Sequence, residues 1–223
     1  MILLKIVQRF CKLIFGLFLY ALGIVLTIKA NIGYGPWEVF HVGLGNTVGI
    51  SIGNASILVG LALVVITLLM GEKVGFGTIL NMILIGVFLD LILMSNLIGI
   101  VDHFYWGILV LVLGLYTISL GSFFYIDSGF GAGPRDGLMV ALKRKFTLPI
   151  GVIRSIIELT ATTIGWFLGG MVGVGTLISV VMIGFCVQST FGILKFDPTK
   201  VTHSTLNESY QELKLALRLR NNT

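Results

Sequence analysis

Residues 13–28 read LIFGLFLYALGIVLTI, and residues 39–71, 74–89, 104–126 and 159–194 likewise contain no Asp, Glu, Lys or Arg. No other feature constrains the chain as strongly. A water-soluble domain needs polar side chains on its outward faces, and these runs cannot supply them. In a bilayer the backbone must satisfy its own hydrogen bonds, which leaves helices or a closed barrel. Barrels need short alternating strands, whereas these runs approach the ~20 residues of a spanning helix. A mean hydropathy of +1.02 with 11% charged residues excludes a disordered chain as well as a soluble one. The chain reads as an all-α polytopic membrane protein with six transmembrane helices, near 12–29, 51–70, 76–95, 106–126, 151–169 and 173–194. Residues 1–195 form one membrane domain and 196–223 a cytoplasmic tail.

Basic residues set the orientation. With the N-terminus inside, Lys5, Arg9, Lys12, Lys73, Arg135, Lys143, Arg144, Lys145 and Arg154 fall on the inner side. The tail adds Lys195, Lys200, Lys214, Arg218 and Arg220, so that only Lys29 of the 15 basic residues lies outside. The positive-inside rule therefore places both termini in the cytoplasm. Lys5, Arg9 and Lys12 ahead of an apolar run resemble a signal peptide, but no A-x-A site follows, and cleavage is not expected. The pI of 9.3 reports this orientation rather than nucleic-acid binding. The two cysteines, Cys11 and Cys186, suggest neither a disulfide nor a metal site.

The chain also matches itself. A shift of 98 residues places Gly16, Gly23, Gly33, Gly35 and Gly53 on Gly114, Gly121, Gly131, Gly133 and Gly151. It continues with Gly71, Gly75, Gly77 and Gly86 on Gly169, Gly173, Gly175 and Gly184, and Pro36 on Pro134. Chance would give roughly two glycine coincidences in windows of this composition, far fewer than these. Each copy, about 12–95 and 106–194, holds three spans, an odd number, so the second enters the membrane from the opposite side. Two inverted-topology three-helix repeats are expected.

Each copy contains a Gly-Pro break, GYGP at 33–36 and GAGP at 131–134. Glycine permits the turn, and proline suits the first position of a new helix. Short half-helices are expected at about 36–47 and 134–146, entering from opposite faces. Their starts would offer free N–H groups to a polar or anionic ligand. The ligand-lining candidates are Gly33, Gly35, Pro36, Glu38 and His41, with Gly131, Gly133, Pro134, Arg135 and Asp136. A second reading stays open, in which each G-x-G-P is a tight turn before a surface helix and the acids complement its dipole.

Charged residues inside spans cost about 2.5–3.5 kcal/mol each at mid-helix and need a partner or a task. Arg154 and Glu158 lie four apart, as an intrahelical ion pair or as coupling groups; Asp90 is a further candidate, facing the interior or the outer interface. Glu38 and His41 are three apart, as a proton relay or a solvated pair. Thr205 and Glu208 form a capping-box pattern ahead of an amphipathic stripe in the tail, suited to the membrane surface or a partner. No catalytic constellation, nucleotide loop or metal motif is present, so no enzyme activity and no cofactor are expected.

The segment GYGPWEVFHVGL, with GFGTILNMILIG downstream, resembles the YczE/YyaS/YitT family of bacterial integral membrane proteins, nearest its YczE-like branch, over about residues 10–195. The second copy departs from that signature, with Arg135 where the first has Trp37. The resemblance implies a multi-pass protein of the bacterial inner membrane and points to no substrate. The function expected is a secondary transporter of a small polar or anionic solute by alternating access. The alternative is a non-transporting scaffold or regulator acting through its basic loop and tail. Expected partners are the lipid bilayer and a small-molecule substrate, with homo-oligomerisation open and nucleic acid excluded.

Overall fold

The computed structural model describes residues 2–221, which form nine α-helices and one 3-10 turn. The helices are α1 (Ile2–Lys29), α2 (Pro36–Val48), α3 (Ile52–Leu69), α4 (Phe76–Met94) and α5 (Phe104–Asp127). They continue as α6 (Pro134–Lys145), α7 (Ile150–Phe167), α8 (Val174–Ile193) and, after the turn at Pro198–Lys200, α9 (Leu206–Asn221). Residues 4–29 of α1 and all of α3, α4, α5 and α8 are long and apolar enough to cross a membrane. The 18-residue α7, which carries Arg154 and Glu158, is not among them. Helix α1 starts well before the expected span, because Lys5, Arg9 and Lys12 are good helix formers that carry it beyond the apolar run.

The repeat seen in the sequence recurs in the backbone. Helices α2, α3 and α4 begin at 36, 52 and 76, and α6, α7 and α8 begin at 134, 150 and 174, each 98 residues on. Both broken segments turn through left-handed residues at equivalent places, Asn31 and Gly33 in one, Gly129 and Gly131 in the other. Helix α2 packs on α7 while α6 packs on α3, and α4 lies beside α1 as α8 lies beside α5. The hydrogen bonds exchange in the same way: Gly77 N–H donates to Phe130 O and Gly175 N–H to Ile32 O, both at 2.7 Å.

Helices α1 and α5 form the most extensive pair. They run antiparallel, with Gly16 against Gly121 and Gly23 against Gly114. A Cβ on Gly23 would stand 2.7 Å from Gly114 O, and one on Gly121 would stand 2.6 Å from Tyr20 N. Between apolar helices in lipid, such close backbone approach supplies the packing that the hydrophobic effect does not. Leu13, Leu17, Ala21 and Val25 of α1 are wholly buried, which makes α1 the centre of the core with Ile85, Leu89 and Ile118 against it.

One end of the bundle gathers the N-terminal segment, the turns before α4 and α6, and the tail. Lys12 pairs with Asp127 at 2.6 Å. Arg9 donates to Ser128 O at 2.8 Å, pairs with Glu212 at 3.1 Å and lies over the Phe130 ring. Ser204 N–H donates to Gly129 O at 2.8 Å. The tail is thus folded back onto the helices, not held out as an arm. Its capping box forms, with Thr205 N–H donating to Glu208 at 2.7 Å, and this bond holds the Glu208 carboxyl below its ordinary range. At the opposite end, Val101 N–H donates to Lys29 O at 2.9 Å and Tyr34 N–H to Met171 O at 3.2 Å.

Candidate functional site

The two chain breaks are built alike. Gly33 has φ +116° and Gly131 φ +130°, conformations that side chains rarely adopt. Each lies against the other half: a Cβ on Gly33 would stand 2.7 Å from Gly173 N, and one on Gly131 would stand 2.9 Å from Gly75 Cα. Pro36 and Pro134 then occupy the first turns of α2 and α6, where a missing N–H costs nothing. The short helices end within one residue of the expected limits, at Val48 and Lys145.

Both helices direct their first turns at one partly open cavity of about 440 Å³. Trp37, Glu38 and His41 of α2 line it, with Arg135 and Asp136 of α6. Gly35, Pro36, Gly133 and Pro134 also reach it, whereas Gly33 and Gly131 do not line it and act by turning the chain into α2 and α6. Glu38 and His41 are buried, at 7% and 2% exposure. Glu38 folds back over Gly35, and Asp136 lies near Gly133 in the same manner, so each acid covers the start of its own helix.

Positions 37 and 135, where the two copies differ, meet directly. The Arg135 guanidinium sits 4.6 Å above the Trp37 ring, and its Nη2 lies 3.8 Å from Glu38 Oε1. This cation–π and ionic contact joins the start of α2 to the start of α6. The Tyr125 hydroxyl donates to Asp136 at 3.0 Å. From α7, Arg154 Nε donates to Glu158 Oε1 at 2.9 Å, and both residues line the cavity.

Several lining residues escaped the sequence reading. Tyr20, Tyr125, Ser56, Asn81 and Ser179 face the cavity. The offset of 98 carries a usable signal here, because Asn81 and Ser179 are equivalent polar positions in predominantly apolar helices. Arg154 and Glu158 correspond to Ser56 and Gly60, so one wall is charged where its counterpart is small.

Asp90 lies elsewhere. Its carboxylate accepts from Gly53 N–H at 2.8 Å and Ser51 Oγ at 2.5 Å, which ties the end of α4 to the start of α3. Asp90→Ala should therefore destabilise the bundle by about 1–3 kcal/mol, the cost of orphaning such donors, while sparing the cavity. Thermal unfolding of the detergent-solubilised protein measures this, and an unchanged midpoint would show the anchor to be idle. Among the described residues no group of three His, Cys, Asp or Glu is placed to hold a metal ion.

Residues 7–191 match a family of unknown function, DUF6198. The chain belongs to this family. It is 33% identical over 186 residues to the uncharacterized membrane protein YczE of Bacillus subtilis, covering 82% of this chain and 86% of that one. An uncharacterized protein of Haemophilus influenzae is 31% identical over 182 residues, covering 82% and 83%. YyaS of Bacillus subtilis is 26% identical over 176 residues, covering 78% and 87%. No solved structure matches. The resemblance read from the GYGPWE segment is borne out for YczE and YyaS, and with five apolar spanning helices the chain is a multi-pass membrane protein.

Proposed function

We propose that the protein is a secondary transporter of a small polar solute, built as two inverted three-helix repeats around a shared central site. The observation that carries this reading is that equivalent residues of both halves line one cavity: Trp37 with Arg135, Glu38 with Asp136, and Asn81 with Ser179. Transporters of inverted-repeat design place their sites at such an interface, against the starts of interrupted helices. Rocking one half against the other would expose the cavity to each side in turn.

In this reading α7 is also a span, the fifth of six in chain order, with Arg154 and Glu158 neutralising one another one turn apart on a single face. The clustering of the N-terminal segment, the inner turns and the tail at one end agrees with both termini in the cytoplasm of a bacterium. The antiparallel glycine contacts of α1 with α5, and the exchanged hydrogen bonds, support the inversion. A partner-recruiting scaffold is less well supported, because Arg9 and Gly129 hold the tail against the helices.

Proteoliposomes loaded with a bacterial small-molecule extract test the proposal. Mass spectrometry should find at least one solute released by the wild-type protein and retained with Glu38→Gln. Release no different from protein-free liposomes would overturn it.

A further inference from the structure

The charges around the cavity are unequal. Three carboxylates, Glu38, Asp136 and Glu158, face two guanidiniums, Arg135 and Arg154. Each guanidinium already has a carboxylate partner, Arg135 with Glu38 at 3.8 Å and Arg154 with Glu158 at 2.9 Å. Asp136 makes no ion pair among the described residues, and its side chain bonds only the Tyr125 hydroxyl. A carboxylate inside a membrane without an ion-pair partner is costly, and such residues mark ion or substrate paths.

A second observation points to a missing partner. Ser179 is 3% exposed, lines the same cavity, and its hydroxyl has no hydrogen-bond partner. Aromatic faces complete the wall. Trp37 already holds one guanidinium over its ring, and the Tyr20 and Tyr125 rings meet edge to face at 6.2 Å. Electron-rich faces beside a carboxylate that has no ion-pair partner suit a positive centre. An anion would find Arg154 hydrogen-bonded to Glu158, Arg135 over the Trp37 ring with Glu38 3.8 Å away, and both helix starts already covered by Glu38 and Asp136.

We infer that the cavity binds a small organic cation whose positive centre pairs with Asp136 and whose polar end reaches Ser179. A volume of about 440 Å³ lies within the range of small-molecule sites. The inference rests on reading this cavity as the solute site, and it turns the expected polar or anionic solute into a cationic one.

Titration calorimetry on the purified full-length protein tests it, with n-butylammonium and ethanolammonium as probes and butyrate and sodium as comparisons. Saturable binding of at least one amine is expected, with none for butyrate or sodium at the same concentrations. Asp136→Asn should weaken amine binding by about 30-fold or more, as expected when one member of a desolvated charge pair is removed. Binding of butyrate or sodium but neither amine, no binding of any probe, or unchanged amine affinity in a monodisperse Asp136→Asn protein would each overturn it. If that variant does not fold, the wild-type preference for amine over butyrate and sodium still decides. Amine binding without any solute release would remove the transport proposal and leave this one standing, whereas release of anions alone would do the reverse.

Discussion

Gly23→Leu and Gly121→Leu should each abolish the compact bundle or lower its stability by about 3 kcal/mol, at the upper end of overpacking costs. Both positions sit where α1 crosses α5, and most of the atoms facing them are backbone, which cannot rotate away. At Gly23 the neighbours include Gly114 O and Ile118 N at 2.7 Å, and at Gly121 they are Tyr20 N at 2.6 Å and Gly16 O at 2.8 Å. A leucine there must push the two central helices apart, and with them the cavity walls on either side. Gly184→Leu is the control, since nothing lies within 4 Å of a Cβ at that position. Thermal stability by size-exclusion chromatography should fall sharply for the first two and hold for the third. Equal behaviour of all three would mean that the crossing is not close.

Arg135→Ala should depress solute release more than tenfold while costing less stability than the glycine variants. The guanidinium touches both the Trp37 ring and the Glu38 carboxylate, so its loss frees the two half-helices and leaves Glu38 without its countercharge. Removing one member of a fully buried pair costs about 3–5 kcal/mol. At 3.8 Å separation and 28% side-chain exposure, about 1–2 kcal/mol is the reasonable share here. Arg135→Lys keeps the charge but lacks the planar group that stacks on an indole, and should recover only part of the activity. Release rates in proteoliposomes, normalised to folded protein, decide between this and a purely structural role, for which Lys and Ala would behave alike.

Beyond the 98-residue repeat, what could be read from the sequence was local. The Gly-Pro pairs fixed the starts of α2 and α6 at Pro36 and Pro134, because proline at the first helical position needs no distant partner. The ion pair of Arg154 with Glu158 was legible for the same reason, as both lie on one helix. Asp90 was not, since its partners Ser51 and Gly53 are remote in sequence and only the packing of α3 on α4 unites them. The Arg135–Trp37 contact lay between these cases. The offset of 98 marked the two positions as equivalent but different, and only the meeting of the repeats turned that difference into a contact. The folding of the tail onto Arg9 left no trace in hydropathy, because it depends on Glu212 and Ser204 meeting a residue near the other terminus.

The measurement that bears most directly on the inverted arrangement is membrane-impermeant maleimide labelling of Tyr34→Cys and Ala132→Cys, equivalent positions in the two breaks. Each is made singly in a background with Cys11 and Cys186 replaced. In sealed right-side-out vesicles Tyr34→Cys should label and Ala132→Cys should not, and in inverted vesicles the pattern should reverse. Labelling of both positions from the same side would contradict the two-fold inversion and, with it, the shared site.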